Sequence, residues 1–355
     1  MATADPPELF DGRFLLMNER VEGGQALVSF AREASGTFAQ YAIKFFFKRA
    51  DFESETALYS HPELRRTLPT AVRANANEGG ALRSRGGLPF PPYLVLARGM
   101  TLLTWNAEER GFGAVMSMFE SLVELLAVLH AAGFVHRDLK PDNVLLLLDS
   151  QRWRLLDFGI MAAAGAHHPP PSASRCAVRL RSRVLFPLYM CHYRSATGPS
   201  RGVPSGEAVC WVSEPMQSRD SQRPDTCTCA GDTTFPCCTI LYAPPEVVLA
   251  YEARDKAAVA PAHDVWSLGV MVYETITRAP AFARRGLKLA SVFACARGDE
   301  CYAWERPLGE QPPAWRNSRL REVVLSCLAR DAAARPSAEE LKTNIWRMGS
   351  RTLQL

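Results

Sequence analysis

Apolar residues in the first hundred positions come in short runs broken by polar residues. Phe14-Leu15-Leu16-Met17 is one such run, and Ala26 to Phe30 and Tyr41 to Phe47 are rich in apolar and aromatic side chains. Runs of this length and composition predict strands. Asp51 to Ser60 reads as a short helix with acidic residues near its N-terminus, where the helix dipole favours them. Gly79 to Pro92 is rich in Gly, Arg and Pro and reads as a loop, and Tyr93-Leu94-Val95-Leu96 as a further buried strand.

The period changes after Gly99. Phe119, Leu122, Val123, Leu126 and Leu129 recur at helical spacing and form a core-facing stripe. Further helices are expected from about Asp264 to Thr277, after Ser318 as a candidate N-cap, and after Ser337. Glu340, three residues beyond Ser337, completes a capping box. A strand-rich first part followed by a helical second part is an α+β arrangement.

Composition narrows the picture only a little. A chain of 355 residues can build two lobes on one large core, and 47% hydrophobic with 22% charged residues is ordinary for a globular protein. A net charge of +4 gives no argument for a nucleic-acid partner. The most apolar stretch, Leu122 to Val135, is interrupted by Glu124 and His130 and is too short to span a bilayer. The N-terminus carries Asp5, Glu8 and Asp11 and lacks the apolar core of a signal peptide. The expectation is a cytosolic or nuclear protein without a membrane partner. The ten cysteines are concentrated: seven fall between Cys176 and Cys238.

The chemistry is concentrated in one run, His136-Arg137-Asp138-Leu139-Lys140-Pro141-Asp142-Asn143, followed by Asp157-Phe158-Gly159. Together these residues supply a carboxylate base, a lysine and two magnesium ligands. Moving a phosphoryl group from ATP to a hydroxyl needs that set. Either tripeptide alone would be a weak signal; the contiguous match, at the correct distance upstream of Asp157, makes coincidence negligible.

With four further runs, the chain resembles the eukaryotic protein kinase family from roughly Phe14 to Trp346. These are Tyr41-Ala42-Ile43-Lys44, Thr239-Ile240-Leu241-Tyr242-Ala243-Pro244-Pro245-Glu246, Asp264-Val265-Trp266-Ser267-Leu268-Gly269, and Asp331-Ala332-Ala333-Ala334-Arg335-Pro336. The resemblance implies a bilobal fold with a β-rich N-terminal lobe over residues 13–98 and a helical C-terminal lobe over 99–346. Residues 1–12 are then an extension and 347–355 a tail. It implies ATP and Mg2+ as cofactors and a protein serine or threonine as acceptor, since Lys140 is typical of serine/threonine-directed members. Lys44 would hold the α- and β-phosphates, the alternative being a surface lysine on an edge strand. A lysine in an apolar strand needs a partner. Glu55 is preferred over Glu53, because Leu58 then falls on the same helix face. Asp138 would orient the attacking hydroxyl or accept its proton, Lys140 would neutralise the moving phosphoryl group, and Asn143 and Asp157 would hold magnesium. His136 would pack and orient the loop. Glu246, in a segment where Pro244 replaces the family's alanine, would pair with Arg335, and Asp264 would anchor the catalytic-loop backbone. Small-molecule kinases share the catalytic aspartate but lack the last two supports.

Two departures stand out. The glycine-rich loop is reduced to Val21-Glu22-Gly23-Gly24-Gln25-Ala26-Leu27-Val28. Gly23 is the middle glycine, Gly24 adds flexibility beside it, and Val28 is the final valine. Glycines let backbone amides approach phosphates closely, so Val21 and Ala26 should weaken the cradle. The stretch from Asp157 to Glu246 is also far longer than a kinase activation segment. The excess, about Ala163 to Ala230, is dense in Pro, Ser, Arg and Cys and shows no sustained period. It reads as a regulatory loop, as a metal site through Cys227, Cys229, Cys237 and Cys238, or as translated non-coding sequence. Two functions follow. One is an active kinase, which Arg137 would allow to be regulated by phosphate on Thr233 or Thr234, with Thr239 shaping the substrate site. The other is a pseudokinase or scaffold that keeps the fold. The sequence does not speak to oligomeric state.

Overall fold

Strand alternation builds the first half of the molecule. The computed structural model of the chain describes residues 8–22, 26–36, 39–84, 86–165, 239–253, 255, 257–282, 288–299, 304–312 and 318–352. Gly23, Gly24, Thr233, Thr234 and the cysteines at 176–238 lie outside the described residues, as does nearly all of the 163–230 tract. Strands β1 (Leu9–Phe10), β2 (Phe14–Glu22), β3 (Ala26–Glu33), β4 (Gln40–Phe46), β5 (Ala71–Asn75) and β6 (Tyr93–Ala97) form an antiparallel sheet ordered β1-β2-β3-β4-β6-β5. Successive side chains of a strand point to opposite faces. On β4, Tyr41, Ile43 and Phe45 join Phe10, Phe14, Tyr93 and Val95 in one apolar cluster. Phe46 joins Ala26, Phe52, Leu94 and Leu96 in another, beside helix α1 (Arg49–Leu58). Lys44 shares the parity of Phe46 and so lies on the α1 side of the sheet. β5 gave no apolar signal because it is an edge strand with almost every residue exposed.

The second half begins with β7 (Gly99–Thr101), α2 (Leu102–Trp105) and α3 (Phe112–Ala131). The short strands β8 (Phe134–Val135), β9 (Val144–Leu147), β10 (Trp153–Leu155) and β11 (Ala162–Ala163) follow. β9 sits between β7 and β10 in a second sheet, and β8 pairs with β11. Gly99 is required at its place: a Cβ there would fall 2.4 Å from Leu145 Cγ. Further α-helices among the described residues are α4 (Pro245–Ala253), α5 (Pro261–Thr277), α6 (Lys288–Arg297), α7 (Glu305–Gly309), α8 (Ser318–Cys327) and α9 (Ala338–Thr352).

α5 is buried without a break from His263 to Tyr273 and forms the axis of the helical core. Gly269 lets α8 approach it, since a Cβ would meet that of Cys327 at 2.8 Å. α3 lies in the same core through Val115, Met118, Phe119, Leu122, Val123, Leu126 and Leu129. At 20 residues, with mean hydropathy 1.8 over an 18-residue window, it is long and apolar enough to cross a membrane, which corrects the reading of Leu122 to Val135 as the most apolar long stretch. That reading began too late in the helix, and the buried stripe makes α3 a core element. The capping box forms as expected: the Ser337 amide donates to Glu340 Oε2 (2.7 Å) and the Glu340 amide to Ser337 Oγ (3.2 Å). Ser318, expected to cap, is instead the first residue of its helix.

Candidate active site

The loop from His136 to Asn143 is held from below by Asp264. This fully buried carboxylate accepts hydrogen bonds from the amides of His136 and Arg137 (both 2.8 Å) and meets His130 Nε2 at 2.9 Å. Burial alone would push the Asp264 carboxyl up. The hydrogen bond and charge of His130, with His136 and the Arg137 amide, outweigh it and hold the group below the usual carboxylate range. Two amides can converge on one carboxylate because Arg137 takes a left-handed backbone, φ 73°. That conformation is unusual for a side-chain-bearing residue and persists only where the surroundings enforce it. The Arg137 guanidinium donates to the Ile160 carbonyl (2.9 Å), and His136 Nε2 meets the Leu156 carbonyl at 2.9 Å while its ring packs against Phe158.

Asp138 is the focus of the loop. Its Oδ2 accepts from Lys140 Nζ (2.7 Å) and Asn143 Nδ2 (3.0 Å), and its Oδ1 from the Thr239 hydroxyl (2.7 Å) and amide (3.0 Å). Lys140 also donates to Thr239 Oγ1 (3.0 Å). Thr239 is thus brought back beside Asp138 across a separation of 101 positions. Asn143 Nδ2 also bonds the Asp138 carbonyl (2.8 Å), which turns Asn143 Oδ1 away from the carboxylate. Asp157, exposed and left-handed at φ 58°, follows Leu156, whose amide donates to the Asn143 carbonyl (2.8 Å). Two hard oxygen donors therefore leave adjacent strands of backbone. Magnesium suits them, since it takes one or two protein ligands and completes its octahedron with water and phosphate oxygens.

Above the loop, Lys44 Nζ donates to Glu55 Oε2 at 2.5 Å, and Glu53, the alternative, bonds Arg49 instead. Burial pushes the Glu55 carboxyl up, opposed by Lys44 and reinforced by Asp157. Val28 is the cross-strand partner of Lys44 and of Val21, which is exposed one pair before the end of the β2–β3 pairing. Farther out, the buried Arg335 guanidinium grips Glu246 in a fork, with both N–O distances 2.7 Å. It also donates to the Ala329, Ala262 and Arg330 carbonyls and lies over the Trp266 ring. The Pro244 carbonyl starts α4 by accepting from Val247 and Val248, so proline in place of alanine leaves this turn intact.

His130 was missed by sequence reasoning. Its signal was a lone polar residue near the C-terminal end of an apolar helix, six positions before His136, and periodicity does not reveal that it meets Asp264. Among the described residues no group of three or more His, Cys, Asp or Glu side chains could hold a metal, and the four-cysteine arrangement lies outside them.

A family model described as "Protein kinase domain" matches residues 103–189 and 219–347, more than half of the chain. Serine/threonine-protein kinase Pkn1 of Myxococcus xanthus is 30% identical over 168 residues, 46% of this chain and 23% of the relative. Serine/threonine-protein kinase OXI1 of Arabidopsis thaliana is 27% identical over 224 residues, 62% of this chain and 46% of the relative. Ribosomal protein S6 kinase alpha-4 of Mus musculus is 27% identical over 267 residues, 72% of this chain and 25% of the relative. The chain therefore spans less than half the length of these curated relatives.

Proposed function

Since the chain belongs to the protein kinase family, we propose that it transfers the γ-phosphoryl group of ATP to a serine or threonine hydroxyl of a protein. The observation that carries this reading is the state of Asp138, whose two oxygens are already organised by Lys140, Asn143 and Thr239. A substrate hydroxyl entering beside Thr239 takes the place of one donor. Asp138 orients it and accepts its proton as the oxygen attacks the γ-phosphorus. The bond from the γ-phosphorus to the leaving diphosphate oxygen breaks, and Lys140 balances charge on the moving group. Lys44, steadied by Glu55, binds the α- and β-phosphates, and Val21, Gly23, Gly24 and Val28 are the loop residues assigned to the same phosphates. Asn143 and Asp157 would hold magnesium, which would supply charge neutralisation at the phosphates. Fixed charges in a loop anchored on a buried carboxylate need little reorganisation as charge develops.

A second reading, a pseudokinase or scaffold that keeps the fold, draws on Val21 and the buried Ala26 at glycine positions. Labelled ATP and a generic basic protein separate the two. The full chain is expected to leave label on serine or threonine. Nucleotide binding with no label, or label on tyrosine alone, would overturn the first reading.

A further inference from the structure

Arg98 is the residue between β6 and β7, strands that belong to different sheets. The chain passes through it from the strand-rich half to the helical half, and several elements engage its polar groups. Its amide donates to the Gln40 carbonyl on β4, and its carbonyl accepts from the Leu148 amide just beyond β9, both at 3.1 Å. Its guanidinium donates through Nη1 to Gln40 Oε1 and through Nη2 to Glu19 Oε2, both at 2.9 Å. Nη1 also lies 3.7 Å from the Met17 sulfur, and the guanidinium carbon is 4.3 Å from the Phe30 ring centre on β3. Met17 and Glu19 fall where β2 slips register against β3, between Leu16 and Arg20. An irregularity of that kind re-aims side chains, and here two of them reach Arg98. On the other side of the joint Gly99 has no room for a side chain against Leu145.

We infer that Arg98 is a positioning residue for the nucleotide: it ties the crossing between the two halves to the stem of the β2–β3 hairpin and sets that hairpin's height over Lys44. The inference rests on the kinase reading. Val21 and Ala26, at the facing ends of β2 and β3, stand at glycine positions, so the backbone there has less freedom than glycine would give. A hairpin with those glycines replaced depends more on where its stem is held. Arg98 holds both strands of that stem, β2 through Glu19 and Met17 and β3 through Phe30. A planar fork suits the task. Lysine, a compact donor on a flexible stem, meets Gln40 or Glu19 but does not reproduce the fork and the stacking together.

The full chain, Arg98→Ala and Arg98→Lys are compared in three measurements. These are titration with a fluorescent adenine nucleotide and magnesium, hydrogen exchange of the nucleotide-free proteins, and the separate KM values for ATP and a protein substrate. In Arg98→Ala, nucleotide binding is expected to weaken about tenfold, KM for ATP to rise by the same factor, and KM for the protein substrate to hold. Amides of β2 and β3 exchange faster, and Arg98→Lys restores binding only in part. Should Arg98→Ala fail to fold, Glu19→Gln removes one charge from the fork and shifts the same readouts by less in the same direction. Unchanged nucleotide affinity with unchanged β2 and β3 exchange overturns the inference, and so does full rescue by lysine. A wild-type chain that binds no nucleotide overturns the kinase reading instead, and the exchange comparison then decides whether Arg98 holds the hairpin.

Discussion

Lys44 and Glu55 form a pair in which position and stability pull apart. Burial raises the Glu55 carboxyl against the pull of Lys44, so burial opposes the ionised form that Lys44 needs as a partner. Glu55→Gln should therefore lower phosphoryl transfer by about ten- to a hundredfold while leaving the melting temperature unchanged or higher. A lower melting temperature with transfer intact would contradict this. His263 gives a pH dependence. Burial, with Arg335 and Arg137 nearby, holds its imidazole below the usual range, against the opposing pull of Glu246 and Asp264. The folded state keeps it neutral, while the unfolded chain binds a proton as pH falls through about 6.5. Stability from this residue is thus complete above that pH and is lost below it, down to the depressed folded value. Denaturant midpoints should fall between pH 7.5 and 5.5, and His263→Gln should flatten the slope. An equal slope in the variant would contradict the assignment. Asp138, Lys140 and Asn143 stood out in the sequence because they fall in one short run, and Lys44 because it stands in an apolar strand run. His130 and Arg98 did not, since their partners come from distant strands and helices: 134 positions separate His130 from Asp264.

Elements were legible where burial leaves a period. β4 is apolar and aromatic almost throughout because both its faces are covered, and α3 shows its stripe because one side meets the core. β5, α4, α6 and α7 escaped. β5 is exposed along its length, and α4 buries the adjacent Val247 and Val248 rather than a spaced stripe. What ties such elements down is polar. Arg335 leaves the loop before α9 and bonds Glu246 at the start of α4 and the Ala262 carbonyl at the start of α5. Arg335→Ala leaves the carboxylate without its fork and three carbonyls without their donor. The expected loss of unfolding free energy is about 3–5 kcal/mol, read from denaturant titration. A loss below about 1 kcal/mol would show that the fork does not hold α4 and α5 together.

At the scale of the molecule, the candidate site draws on residues of both halves, and the tract at 163–230 interrupts the chain between its parts. The family match leaves 190–218 unmatched, inside that tract. The first residues of the tract belong to the framework: Ala163 pairs with Phe134, and the amides of Ala164 and Gly165 donate to the Gly133 and Val259 carbonyls. Deleting 163–230 should therefore lower the melting temperature relative to deleting 166–230. Equal melting temperatures would contradict this boundary. Periodicity could not place it, because a strand of two residues carries no period. The central claim, that the loop anchored by Asp264 performs phosphoryl transfer, is tested most directly by comparing the full chain with Asp138→Asn. Both are measured at saturating MgATP for label transfer and separately for nucleotide binding. Wild type is expected to transfer, and the variant to bind nucleotide equally while losing at least about a hundredfold in rate. Equal transfer by both proteins, or none by either, would contradict the account.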